Sequence, residues 1–129
     1  MTPGTVRFEN GATVRVDIVS EPTEMAYGLM DRTSLPENAG MLFWFGSRED
    51  HVFWMRRTRI PLDLVFVDRD LRAARGPLFG VVVGVLTLEP LDERQHSIKR
   101  PSTCVLEVNG GWTARHGVAV GQKVTVSAD

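Results

Sequence analysis

The sequence predicts a mainly β (α+β) protein: one antiparallel β-barrel-like domain over residues 1–129, carrying two short helices. Three observations lead there. Short apolar or alternating runs recur between Gly, Pro, Asn and Asp punctuation. Helical spacing occurs in only two places, too rarely for a doubly wound sheet. The chain has 129 residues, 43% of them hydrophobic and 24% charged, as in an ordinary globular domain.

The first hairpin is carried by Val6-Arg7-Phe8 and Thr13 to Ile18 around Glu9-Asn10-Gly11, since Asn-Gly suits the positive φ values of a tight turn. Val14, Val16 and Ile18 alternate with Thr13, Arg15 and Asp17, giving one buried and one wet face. Ser20-Glu21-Pro22 then opens a short helix whose apolar stripe is Met25, Ala26, Leu29 and Met30. Pro36 to Gly40 reads as a loop. Met41 to Phe45 is apolar on both faces, as in a strand covered on each side.

After a polar turn at Gly46 to Asp50, a strand is expected with His51, Phe53, Met55 and Arg57 on one face. Ile60-Pro61 breaks it. In the next strand Leu62, Leu64 and Phe66 oppose Asp63, Val65 and Val67, which puts Asp63 on an apolar face. Asp68-Arg69-Asp70 reads as a hairpin tip leading into a strand at Leu71 to Arg75. Gly84 should bend or bulge the strand from Val81 to Leu88. Leu91 to Pro101 reads as a loop and Thr103 to Val108 as a strand. Asn109 is a candidate cap for a one- or two-turn helix ending at Gly117, with Arg115 and His116 at its negative end. Val118 to Val126 closes the chain around a turn at Gly121.

Charge restricts the partners. With 15 basic and 16 acidic side chains the net charge is −1, so no nucleic-acid partner is expected, the densest basic patch being Arg56, Arg57 and Arg59. The longest apolar stretch, Val81 to Leu86, is far too short to span a bilayer. The N-terminus lacks a secretory pattern, so the chain as given reads as cytoplasmic, and as exported if the native chain is longer. The single cysteine, Cys104, lies in an apolar run and reads as a core residue whose burial raises its pKa.

Asp63 is the residue most in need of explanation, because an ionised carboxylate on an apolar face requires a partner. Arg32, Arg56 or Arg57 would serve, either as a structural ion pair or facing a ligand in the barrel mouth. His51 could act as a general base oriented by Asp63, although no Gly-x-Ser-x-Gly nucleophile elbow accompanies the pair. Met25, Met30, Met41 and Met55 with His51 offer soft copper ligands, yet they are scattered as packing methionines are. Cys104, His51, His96 and His116 lack zinc spacing. Trp44, Trp54 and Trp112 read as core or rim residues, or as stacking platforms where exposed. No metal and no cofactor are expected.

Gly28-Leu29-Met30 with Arg32, Gly40-Met41-Leu42-Phe43 with Phe45, His51 with Phe53-Trp54-Met55, Pro61-Leu62-Asp63, Val105-Leu106-Glu107-Val108 and Gly117-Val118 with Val120-Gly121 form an ordered series. The series resembles domain-of-unknown-function family 192 over nearly the whole chain, most specifically in its Trp-Met and Pro-Leu-Asp block. The resemblance implies a small β-rich barrel, in a family whose members often carry an export signal or lipid anchor and have no established biochemical role. Two departures stand out: Arg56-Arg57-Thr58 replaces a usual Lys-Asn-Thr-like stretch, and the segment from Leu71 to Lys99 is unlike the family pattern.

The reading that follows is a non-enzymatic binding module with a ligand-binding site near Arg32, His51, Trp54, Arg57 and Asp63. Its partner would be a small polar or anionic ligand, or a protein segment. The alternatives are a hydrolase using His51 and Asp63, and a structural protein-interaction domain.

Overall fold

The computed structural model describes residues 1–70 and 78–129. Along the chain run β1 (Thr2–Phe8), β2 (Thr13–Val19), α1 (Pro22–Tyr27), β3 (Ala39–Glu49), β4 (Leu62–Arg69), β5 (Leu78–Leu88), β6 (Ser102–Asn109), α2 (Trp112–Arg115) and β7 (Lys123–Ala128). The strands close into a barrel in the order β1-β2-β3-β6-β4-β5-β7. About eight strands were expected and seven are found among the described residues; the expected strand at Leu71 to Arg75 lies outside them.

Every strand pair is antiparallel except β2 with β3, which run parallel from Arg15 opposite Ala39 to Val19 opposite Phe43. A parallel pair needs a crossover, and α1 with the loop to Pro36 supplies it. β3 is central as expected, with β2 on one side and β6 on the other. It continues to Glu49 through a register shift after Trp44, so the polar residues expected as a turn extend the strand instead.

Alternation along the strands sorts their side chains into two apolar layers. Inside the barrel lie Val6, Val14, Val16, Leu42, Val65, Val67, Cys104, Leu106, Val108, Val124 and Val126, with Trp112 and Phe8 in contact at one end. On the outer face of β3, β6 and β4 lie Met41, Phe43, Leu62, Leu64, Phe66 and Val105. That outer layer would be exposed in a bare barrel. It is covered by Met25 of α1, by Leu29, and by Phe53 and Met55 of the β3–β4 connection, so the molecule holds a second core against the barrel's flank.

Three further local expectations change in the structure. α1 ends at Tyr27 because Gly28 adopts φ 53, which leaves Leu29 and Met30 beyond the helix. The expected strand from His51 to Arg57 is an irregular segment with a single bridge between Phe53 and His96. Its backbone groups go to the Leu91–His96 loop: Phe53 and His96 exchange N–H···O bonds of 2.9 and 2.8 Å, the Met55 N–H meets Asp92 O at 2.7 Å, and the Leu91 N–H meets Thr58 O at 2.9 Å. Asn109 does not cap α2. Its amide donates to Leu35 O at 2.7 Å, while the α2 cap residue is Gly111. At Gly84 the expected bulge is present: Phe66 pairs with Gly84 but Val67 with Val82, and a Cβ at Gly84 would lie 2.6 Å from Ile98.

Candidate functional site

Glu107 lies on β6 with its side chain on the outer face, where Met41 of β3 and Leu64 of β4 are its cross-strand partners. It is 5% exposed, and among the described residues no donor or cation reaches its carboxylate. Burial alone pushes its pKa up from 4.5 to about 8, so the carboxyl holds a proton at neutral pH. Its remaining exposure opens into a cavity of about 270 Å³.

Each wall of that cavity has a local cause. Met25, Ala26 and Tyr27 come from α1, and the turn at Gly28 lets the backbone approach closely: a Cβ there would lie 3.3 Å from Phe43 Cζ and 3.9 Å from Glu107 Oε1. Phe43 and Phe45 come from β3. Phe53 stands edge-on to Phe43 at 5.4 Å and to Phe45 at 6.2 Å between ring centroids. His51 stacks on Phe45 at 3.6 Å, and its Nε2 lies 3.2 Å from Ser47 O, an acceptor that places the proton on Nε2. Trp54, 44% exposed, stands at the mouth with the Arg56 guanidinium 5.5 Å above its ring. Thr58 lines the cavity too. The irregular segment carrying His51 to Thr58 is thereby fixed from behind, where Asp92 accepts hydrogen bonds from Arg94 and lies 2.9 Å from His96 Nε2; the Arg94 bonds, with help from His96, hold Asp92 far below the usual carboxylate range.

The five expected site residues separate. His51 and Trp54 line the cavity. Arg32 lies in grooves beside the α1–β3 connection, one of them shared with Met1, Asp31 and Met41, rather than in the cavity. Arg57 is paired with Asp31, whose N–H also donates to Arg57 O at 2.8 Å; both residues adopt positive φ, 53 and 64.

Asp63 is elsewhere. It is fully buried on the inner face of β4, where Thr87 Oγ1 donates to it at 2.8 Å, Thr113 Oγ1 at 2.6 Å, and the Gly111 and Thr113 amides at 3.0 Å each. The expected guanidinium partner is therefore corrected: among the described residues Arg32, Arg56 and Arg57 make no ion pair with it, and two hydroxyls and two amides satisfy it. Burial pushes its pKa upward, and the Thr113, Gly111 and Thr87 hydrogen bonds outweigh that, giving a net lowering. Two of the donors are the amides of Gly111, the residue before α2, and of Thr113, the second residue in it, so Asp63 supplies across the barrel end the cap that Asn109 was expected to give. No hydrogen bond joins His51 to Asp63, whose oxygens are already occupied, and the catalytic pair does not form here.

Sequence reasoning passed over Glu107. The available signal was one acid inside Thr103 to Val108, an otherwise apolar run in the position of a covered strand. Cys104 matches its expectation: it is buried in the inner core, and burial pushes its pKa to about 12. Trp112 is core, Trp44 half-buried and Trp54 the exposed one. Among the described residues no three His, Cys, Asp or Glu side chains converge as a metal site, and no helix is long and apolar enough to cross a membrane.

These features define a class: a closed seven-stranded barrel with a lobe on its flank and a pocket between them. The model of family DUF192, described as an uncharacterised ACR, matches residues 5–126, and the chain belongs to that family. No curated protein matches it. A crystal structure from Sinorhizobium meliloti 1021, of a protein described as a candidate transcription regulator, is similar at 28% identity with TM-score 0.82, over 98% of this chain and 93% of that one. A protein of unknown function from Novosphingobium aromaticivorans DSM 12444 is similar at 36% identity with TM-score 0.80, over 95% of this chain and 82% of that one.

Proposed function

We propose that this chain is a non-enzymatic binding module that takes a small ligand with one polar group into the flank pocket, against Glu107. The observation that carries the reading is a carboxyl almost completely buried, without a protein partner among the described residues, at the floor of an aromatic-walled cavity of about 270 Å³. Buried polar groups are paired in nearly all folded proteins, and an exception that faces a cavity invites a ligand as the missing partner. His51 and Trp54 belong to this site; Arg32 and Arg57 have less support, one lying outside the pocket and the other neutralised by Asp31. An anionic ligand is the weaker half of the original expectation, since the group at the pocket floor is itself an acid.

Protein-segment binding has an observation of its own. Tyr27, Val52 and Trp54 line the pocket and are 55%, 53% and 44% exposed, an apolar rim of the kind that docks a side chain. A role in transcription, which the Sinorhizobium protein's description would suggest, has less support from a chain of net charge −1. In Arg15, Arg48, Arg57, Arg94 and Arg115 the guanidinium already holds a carboxylate.

A thermal-shift screen of amines, alcohols, amides, acids and short peptides tests the reading. A true ligand at a hundredfold excess over its Kd should add about 2.7 kcal/mol of stability. Trp54→Ala should remove the shift while leaving the fold intact, because Trp54 stands at the mouth and outside both cores. If no compound moves the midpoint, or the shift survives in Trp54→Ala, the pocket is not a binding site.

A further inference from the structure

We infer that the ligand of the flank pocket presents a positively charged nitrogen on a small apolar body, and that it binds by displacing the proton of Glu107. The inference deepens the pocket reading and rests on it. It names the charge of the ligand and the chemistry of its capture.

The acid at the pocket floor is flanked on its own sheet by Met41 and Leu64, neither of which can donate a hydrogen bond. The groups around the cavity offer π faces more than donors: Phe43, Phe45, Phe53 and Trp54 all line it. Aromatic faces attract a cation through the ring quadrupole, and more strongly once it is desolvated. A neutral donor would satisfy one oxygen of Glu107 and gain little from the rings. An ammonium or amidinium satisfies the carboxylate with a charge-assisted bond and uses the walls at the same time.

The other ionisable groups facing the cavity are Tyr27 from the end of α1, and His51 and Arg56 from the β3–β4 connection; β3 and β4 contribute none among the described residues. Arg56 is exposed at the rim over Trp54 and leaves the floor without a counter-ion. Asp31 and Arg57 neutralise each other outside the cavity.

The exchange balances. Neutral Glu107 and R–NH3+ become the carboxylate–ammonium pair, and one proton leaves to solvent. Affinity for the amine should therefore rise with pH by about tenfold per unit while Glu107 is protonated in the free protein, which burial extends to about pH 8.

The test is an NMR titration of the full chain with benzylamine, benzyl alcohol and benzoate at about pH 5.5, about 6.5 and about 7.5, read on the Trp54 indole and the Gly28 amide. The expected result is binding of benzylamine that tightens with pH and weakens at least about tenfold, without a pH slope, in Glu107→Gln. That variant keeps His51 and so subtracts any contribution of the ring. Equal binding of all three probes, or an amine affinity independent of pH, overturns the cation inference and leaves the pocket reading standing. Absence of any shift with all three overturns both. Should Glu107→Gln fail to fold, the pH slope and the contrast among probes in the unmodified protein still decide.

Discussion

Two acids buried in neighbouring strands behave in opposite ways, and the difference separates the two regions of this molecule. Asp63 points into the barrel, where two hydroxyls and two amides meet it, and its pKa is lowered. Glu107 points out of the barrel into the flank lobe, where no hydrogen-bond or ionic partner meets it among the described residues, and burial raises its pKa to about 8. Burial is comparable, 0% and 5% exposed. Hydrogen bonding decides the sign. Asp63 is fully partnered, whereas Glu107 has no hydrogen-bond partner among the described residues, and an unsatisfied polar group beside a cavity is where function is to be sought.

The sharpest way to break the comparison is to remove Asp63. Asp63→Ala leaves the Gly111 and Thr113 amides and two hydroxyls without their acceptor and uncaps α2, so urea unfolding should show a loss of roughly 5 kcal/mol. A loss below about 1 kcal/mol would mean that the barrel end does not depend on this acid.

The next test uses pH. Glu107 has a folded pKa above its ordinary 4.5, so between about 4.5 and 8 the folded state binds more protons than the unfolded state and stability falls as pH rises. The ceiling is on the order of 5 kcal/mol, about 3.5 pH units at about 1.4 kcal/mol per unit, all of it lost above about pH 8. Asp63 has the opposite sign: its lowered pKa contributes stability above the ordinary 3.8, lost as pH falls through the folded value. Chemical denaturation across this range should slope downward in the unmodified chain and be flat in Glu107→Gln. An equal slope in both would show that Glu107 is not the titrating group.

Smaller effects sharpen the same contrast. Glu107→Met, matching the apolar neighbours Met41 and Leu64, should stabilise the protein by about 1–2 kcal/mol near pH 8 and abolish ligand binding. Gly28→Ala should cost about 1 kcal/mol, because the residue holds φ 53 and the new methyl meets Phe43 at 3.3 Å; its stability and its probe binding should fall together.

Much of the scaffold was legible because its signals are local. Leu62, Leu64 and Phe66 oppose Val65 and Val67 in the strand as their alternation requires, and Gly84 marks the bulge. The segment from His51 to Arg57 was misread as a strand for the same reason: its alternation is real, but its backbone partners lie in a loop some forty residues away, and only Phe53 forms a bridge.

By itself the sequence determined the β-rich class, the two faces of β4 and the burial of Cys104 and Asp63, because a period of two and the company of apolar neighbours are written into consecutive residues. Only the tertiary structure decided who meets each buried charge. Asp63 takes its donors from Thr87, Gly111 and Thr113, between 24 and 50 residues away, while Glu107 faces a pocket assembled from α1, β3 and the β3–β4 connection. Whether a buried charge is satisfied depends on the full set of groups within hydrogen-bonding reach, and chain folding, rather than spacing along the chain, sets that environment.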